Sequence, residues 1–175
     1  IEGFADLYNQ SLSAASAAER IFLLLDTKPE IQTAKHAVHL EKIEGRLKFD
    51  NVQFAYDANK RDDWALKDIN FEAKPGQTVA LVGPTGAGKS SIVNLTARFY
   101  DTLEGQVLVD EHDVKDVTLD SLQANMGIVL QDNFLFNGTV LENLLYGNPD
   151  ATAESAVQAA KELGSYDVIM ALDKG

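Results

Sequence analysis

One stretch of this 175-residue chain combines three glycines with a lysine and a serine at a restrictive spacing. It reads Gly83-Pro84-Thr85-Gly86-Ala87-Gly88-Lys89-Ser90 and fits the pattern G-x-x-x-x-G-K-[ST]. The apolar run Val79–Val82 precedes it, and Ile92, Leu95 and Phe99 follow at helical spacing. Glycines let backbone N–H groups approach an anion closely, and a helix N-terminus adds partial positive charge. The sequence therefore predicts a strand, a phosphate-binding loop and a helix in that order.

Two side chains of this phosphate loop have predicted chemical roles. Lys89 supplies positive charge for the β- and γ-phosphates of a nucleotide, and the Ser90 hydroxyl is placed to ligate a Mg²⁺ ion that bridges them. The other six residues, Gly83, Pro84, Thr85, Gly86, Ala87 and Gly88, contribute the curled backbone. The loop alone does not specify a reaction. A transport or motor ATPase, a GTPase and a small-molecule kinase all stay open at this point.

The composition narrows the class of partner. There are 27 Asp and Glu residues against 15 Lys and Arg, so the formal net charge is −12. This balance argues against a general nucleic-acid binder, which needs a basic face. A nucleotide needs only local positive charge and is still allowed. The chain has no cysteine, which excludes thiolate catalysis and cysteine-based zinc sites.

The first half of the chain predicts a helix, a linker and two strands. Residues 4–25 have helical periodicity, and residues 26–44 form a polar linker. Residues 47–56 alternate in two sets that are out of phase, which predicts a bulge near Asp50-Asn51. Residues 66–73 predict a second strand that can pair antiparallel with the first. The helix either packs on the domain or arrives from a further domain.

After the phosphate loop, short apolar runs alternate with helical patterns. Val79–Val82 predicts a strand that is covered on both faces, and Val107–Val109 and Ile128–Leu130 are further short runs. Thr139 and Glu142 form a capping-box pattern, and two helices follow before the chain ends. Strands that alternate with helices predict an α/β layered fold.

A guanine-selecting site is the main sequence alternative to an ATP site. Asn59-Lys60-Arg61-Asp62 fits the pattern N-K-x-D. It precedes the phosphate loop, so a GTPase would need a permuted order, and no D-x-x-G follows the loop. A charged hairpin loop is the favoured interpretation of these four residues.

From Gly45 to Gly147 the chain resembles the nucleotide-binding domain of ABC transporters, of the exporter type in which a membrane domain shares the chain. The matching segments, besides the phosphate loop, are residues 52–56, 66–71, 76–83, 127–132 and 135–143. Residues 16–26 resemble the end of the last membrane helix and its connector. The resemblance implies an incomplete P-loop NTPase-type α/β fold with an antiparallel β subdomain and an N-terminal connector helix. It divides the chain into a connector, residues 1–40, and a nucleotide-binding part, residues 41–175.

The resemblance also implies roles for single residues. Tyr56 matches the aromatic residue that stacks on adenine, and Gln131 matches the glutamine that contacts Mg²⁺ and senses the γ-phosphate. Lys89 and Gln131 are thereby the predicted catalytic residues, and Ser90 and Gln131 the predicted metal ligands. Ser91, where the family usually has threonine, completes the predicted nucleotide-binding set. The implied cofactors are ATP and Mg²⁺.

The implied partners are a transmembrane domain of the same transporter and a second nucleotide-binding domain, identical or different, at the cytoplasmic face of a membrane. Residues 134–136 lie where the family docks its membrane domain. The signature motif, the Walker B strand and the switch histidine of the family have no counterpart up to Gly175. We therefore expect this chain alone to lack efficient hydrolysis and to leave apolar surface uncovered. A nucleotide-binding module without catalysis, another P-loop NTPase and a kinase are the alternatives.

Two clusters of polar residues offer weaker hypotheses. Asp110, Glu111 and Asp113 resemble an acidic catalytic cluster, but a solvated turn is the favoured interpretation. His36 and His39 could share a metal ion at their spacing, but no third ligand is indicated, so polar linker residues are expected.

Overall fold

The structure is a computed structural model that describes residues 2–57, 63–131, 133–148 and 150–172. The chain divides into two compact units, Ile1–Gly127 and Ile128–Gly175. The elements of the first are α1 (Glu2–Leu25), β1 (Leu47–Phe54), β2 (Leu66–Ala73), α2 (Lys89–Thr96), β3 (Glu104–Val109), β4 (His112–Asp113) and α3 (Leu119–Ala124). Those of the second are α4 (Val140–Leu145), α5 (Ala153–Glu162) and α6 (Tyr166–Met170). The tetrapeptide at 59–62 lies outside the described residues.

The first unit is built on an antiparallel sheet in the order β2-β1-β3-β4. Leu47 pairs with Ala73 on one side and with Val109 on the other, so β1 is a central strand. The register shifts between Phe49 and Val52, and Asn51 has a φ of 50°. This confirms the predicted bulge, which brings Phe49 on one side of it and Val52 and Phe54 on the other into the core. It also confirms the antiparallel pairing of β1 with β2.

The acidic run after β3 is a structural turn. Asp110 and Glu111 have φ angles of 47° and 72° and connect β3 to β4 as a two-residue hairpin loop. The Asp110 carboxylate accepts hydrogen bonds from the backbone N–H groups of residues 44–46, where the linker enters β1. Its oxygens therefore hold the backbone, and the favoured interpretation as a turn is confirmed.

The core of the first unit lies between the sheet, α2 and α3. Its fully buried residues include Phe49, Val52, Leu95, Val107, Val117 and Leu122. Arg98, two residues beyond the C-terminal end of α2, is also buried. Its Nε donates to Asp101 at 3.0 Å, and its other nitrogens donate to the carbonyl oxygens of Val117 and Gln32. One guanidinium group therefore ties the linker to the C-terminal end of α2.

Two of the apolar runs, Val79–Val82 and Ile128–Leu130, form no strand in the structure. Among the described residues, neither Val79–Val82 nor Ile128–Leu130 pairs with another strand. Val82 is 89% exposed and Val129 is 92% exposed, so the prediction of a covered strand at Val79–Val82 was wrong. An apolar run indicates a preference for burial, but a strand also needs a neighbour for its hydrogen bonds. The expected uncovered apolar surface at both runs is confirmed.

Helix α1 has 24 residues, close to the predicted 4–25. Its described side chains are mostly exposed, including the apolar residues Ile21 to Leu25. This exposure does not support the interpretation that α1 packs on the domain. No helix in the described ranges is long and apolar enough to cross a membrane.

The second unit consists of three short helices, and α4 begins with the predicted capping box. The Thr139 hydroxyl accepts a hydrogen bond from the Glu142 backbone N–H, and the Thr139 backbone N–H donates to Glu142 Oε2 at 2.7 Å. The backbone donor and then the Thr139 hydroxyl hold the pKa of Glu142 below its ordinary value. Gly164, with a φ of 70°, follows the C-terminal end of α5.

We expect the capping box to be sensitive to acid. The folded pKa of Glu142 is depressed, so its contribution to stability is present above the unfolded pKa and is lost as pH falls through the folded pKa. Thr139→Ala should raise the Glu142 pKa part of the way to its ordinary value, since the backbone donor remains, and Thr139→Ser should leave it low. Carboxyl NMR titration measures both. An unchanged pKa in Thr139→Ala would contradict this assignment.

Candidate functional site

The predicted phosphate loop curls between the exposed run Val79–Val82 and α2. The Ala87 backbone N–H donates to the carbonyl oxygen of Pro84 at 3.2 Å, which forms a tight turn. The Lys89 ammonium spans the loop and donates to the carbonyl oxygens of Gly83 and Pro84 at 2.9 and 2.8 Å. An anion is a stronger acceptor for an ammonium group than a neutral carbonyl. Lys89 is therefore held at the loop and can bond a phosphate oxygen there.

The start of α2 leaves its backbone donors available. Gly88 is the N-cap residue and provides no side-chain cap, and the first turn of α2 contains no acidic residue. The first N–H groups of a helix have no partner within the helix and attract anions. The loop backbone, the Lys89 ammonium and these donors together fit the phosphate chain of a nucleotide.

Gly88 is required where the phosphate loop meets β2. It has a φ of 82°, a conformation that favours glycine. A Cβ atom at this position would lie 2.5 Å from Leu66 Cδ2 and 2.6 Å from the Ala65 carbonyl oxygen. Gly86 has a similar φ of 83°, but a Cβ atom there would meet nothing within 4 Å. The start of β2 therefore lies close against the loop at Gly88, and no such neighbour lies at Gly86.

The structure brings Tyr56 to the phosphate loop. Tyr56 follows β1, and its hydroxyl lies 2.9 Å from Ser91 Oγ on the first turn of α2. Its ring makes edge contacts with Phe54 and Tyr100, at centroid distances of 4.8 and 5.1 Å. It is still 55% exposed, which leaves ring surface accessible to a planar ligand.

The two serines after Lys89 have different environments. Ser90 is exposed, so its hydroxyl is accessible for the predicted metal ligation. Ser91 is 4% exposed, and its hydroxyl is bonded to Tyr56. Among the described residues, no group of three His, Cys, Asp or Glu side chains could hold a metal ion. Within the first unit, Ser90 is therefore the predicted protein ligand of a Mg²⁺ ion.

Gln131 and the predicted docking residues belong to the second unit. Gln131 is exposed, and its neighbour Asp132 lies outside the described residues. Phe136 contacts the rings of Phe134 and Tyr146, at centroid distances of 5.1 and 4.2 Å. The Asn143 side chain on α4 bonds both the N–H and the carbonyl group of Phe136. This loop therefore presents exposed aromatic side chains on a fixed backbone.

Sequence reasoning missed Arg98 and Tyr100. The sequence around Arg98 does not indicate that its side chain is buried. Two of its partners, the carbonyl oxygens of Val117 and Gln32, are distant in the sequence. The adjacent aromatic residues Phe99 and Tyr100 are visible in the sequence. Helical periodicity used only Phe99 and indicated no role for Tyr100. Both residues lie beyond the C-terminal end of α2.

The family of the chain follows from comparison with known proteins. Residues 66–172 match the profile of the family described as ABC transporter. This match includes the phosphate loop, α2 and the whole described part of the second unit. The chain belongs to the ABC transporter family.

Particular relatives and a solved structure agree with this assignment. The chain is 43% identical over 175 residues to the uncharacterized ABC transporter ATP-binding protein YfiC of Bacillus subtilis (strain 168), covering 100% of this chain and 28% of that protein. It is 44% identical over 155 residues to a putative multidrug export ATP-binding/permease protein of Staphylococcus aureus (strain NCTC 8325 / PS 47), covering 89% of this chain and 26% of that protein. A bacterial Atm1-family ABC exporter solved with ATP bound superposes with a TM-score of 0.82 at 40% identity, over 96% of this chain and 29% of that one. The chain spans little more than a quarter of the length of these relatives.

Substituting the two loop glycines separately tests the contact with β2. Gly86→Ala should lower the free energy of unfolding by about 1–2 kcal/mol, the cost of a left-handed conformation. Gly88→Ala should lower the free energy of unfolding by about 1–3 kcal/mol more than Gly86→Ala does, because its Cβ also overpacks Leu66 and Ala65. Urea unfolding of both variants measures the difference. Equal losses would show that β2 does not support the loop.

Proposed function

We propose that this chain binds ATP with Mg²⁺ as part of an ABC exporter, in which ATP binding and hydrolysis drive substrate transport across a membrane. The observation that carries the proposal is the Lys89 ammonium held across a curled loop at the uncapped start of α2. The family assignment and the named export functions of the relatives support the same role.

Phosphate binding needs only small changes at the loop. The Lys89 ammonium exchanges its bonds to the Gly83 and Pro84 carbonyl oxygens for bonds to phosphate oxygens, and the backbone N–H groups at the start of α2 donate to the same anion. Ser90 holds Mg²⁺, which neutralises charge on the phosphates. The net charge of −12 does not exclude this binding, since a nucleotide needs only the local positive charge of Lys89 and the helix N-terminus.

Base binding is assigned to Tyr56. An exposed aromatic ring beside the phosphate loop can stack on a purine, and such stacking discriminates little between bases. The bond between Tyr56 and Ser91 fixes the ring relative to the first turn of α2. Base and phosphate sites are therefore adjacent on one structural unit.

Hydrolysis is assigned to the intact protein. Gln131 is proposed to contact Mg²⁺ and sense the γ-phosphate, a role that an uncharged amide can perform. A water nucleophile also needs a group that orients it and charge stabilisation around the γ-phosphate. We propose that a second nucleotide-binding domain completes the site and that the connector, residues 1–40, leads from a transmembrane domain. The aromatic loop at residues 134–136 is proposed to dock that domain at the cytoplasmic face.

Replacing Lys89 tests the phosphate site. Lys89→Ala should abolish MgATP binding while leaving the fold intact, because Lys89 is part-exposed and its bonds are confined to the loop. Lys67→Ala, at an exposed position on β2, is the matched control and should bind normally. Isothermal titration measures affinity, and circular dichroism checks the fold. Equal affinity of wild type and Lys89→Ala would overturn the assignment.

Replacing Tyr56 tests the base site. Tyr56→Ala should weaken ATP binding by about 1–3 kcal/mol, the usual range for base–aromatic stacking. Tyr56→Trp should be tolerated, and GTP should compete with ATP within about tenfold. Competition titrations with both nucleotides measure these effects. A strong guanine preference that is lost in Asp62→Ala would instead support a permuted GTPase.

A further inference from the structure

The ring of Tyr56 is fixed from two sides by residues outside the predicted nucleotide-binding set. The buried Phe54 meets it with an interplanar angle of 74°, and Tyr100 meets it at 90°. Phe54 and Tyr100 also contact each other, with their centroids 5.6 Å apart. The three rings therefore form a closed cluster in which the orientation of each depends on the other two.

The hydroxyl of Tyr56 adds a third restraint. It lies 2.9 Å from Ser91 Oγ, and Ser91 is buried on the first turn of α2. Tyr100 follows the C-terminal end of the same helix. The two ends of α2 thus contact one ring, through a hydrogen bond at the N-terminal end and through a ring edge beyond the C-terminal end.

We infer that Tyr100 and Ser91 are positioning residues that hold the Tyr56 ring ready to stack on the nucleotide base. This inference rests on the proposed ATP site and deepens it. A ring that is already oriented loses less conformational freedom on binding, so restraint of Tyr56 increases affinity for the base. The restraint acts on the base through the Tyr56 ring, because neither contact to Tyr56 uses Lys89.

The measurement compares ATP with inorganic tripolyphosphate, which has three phosphates and no base. The ratio of the two dissociation constants isolates the contribution of the base and cancels any effect of Ser91 on the phosphates. In the 175-residue chain, Tyr100→Leu should reduce the preference for ATP over tripolyphosphate by about threefold to tenfold, since it removes one aromatic contact of the ring. Tyr100→Phe keeps the ring edge and should keep the preference.

Ser91→Ala and Tyr56→Phe test the hydrogen bond. Each removes one partner, and each should reduce the preference by about twofold to fivefold. The double variant should be no worse than either single one, because both changes remove the same bond. Ser91→Thr keeps a hydroxyl and should keep the preference for ATP over tripolyphosphate.

Phe71→Leu is the structural control. Phe71 stacks on Phe49 with centroids 4.7 Å apart, in a ring pair between β1 and β2 that does not include Tyr56. It should lower stability without changing the preference for ATP. If Tyr100→Leu weakens ATP and tripolyphosphate equally, or if the effects of Ser91→Ala and Tyr56→Phe add, the inference is overturned. Absence of Lys89-dependent ATP binding in the wild type would instead refute the proposed function.

Discussion

The contact of Gly88 with the start of β2 determines where the phosphate loop lies. The Ala65 carbonyl oxygen and the Leu66 side chain leave no room for a Cβ atom at Gly88. The same two residues are held by β1, because the Ala65 N–H donates to the Phe54 carbonyl oxygen at 2.8 Å and Leu66 pairs with Phe54. Tyr56 lies two residues beyond Phe54, the last residue of β1. The contacts among the end of β1, the start of β2 and Gly88 therefore position both the phosphate loop and the Tyr56 ring beside it.

Local and short-range features were the most predictable parts of the structure. The bulge in β1 followed from two out-of-phase apolar sets, and the capping box of α4 followed from Thr139 and Glu142, since both depend on residues within one element. The phosphate loop was equally predictable from the sequence, because its shape depends on glycines at fixed spacing. The predicted strand at Val79–Val82 failed because strand formation depends on a neighbour that the apolar pattern cannot specify.

Features that depend on distant partners were not predictable. Arg98 has a φ of 53°, is 4% exposed, and bonds Asp101, Val117 and Gln32. A buried guanidinium group must have such partners, since an unpaired buried charge is very costly. These partners of Arg98 could not be predicted from the sequence, because two of them are backbone carbonyl oxygens that come close to Arg98 only in the folded chain. The same holds for Tyr56 and Ser91, whose bond joins residues 35 positions apart.

Helix α2 connects the residues proposed to hold a nucleotide with the residues that hold the linker. Its N-terminal end carries Lys89 and the bond to Tyr56, and Arg98 beyond its C-terminal end bonds the linker at Gln32. Eight residues make a helix about 12 Å long, which is too short to bend appreciably. A shift of α2 at the phosphate end must therefore either move the linker or break the buried bonds of Arg98. The linker is itself held at two further points, since Val38 bridges to Val117 and the buried Leu40 donates its N–H to Ser121 Oγ at 3.0 Å, so a shift of α2 would act on these bonds as well.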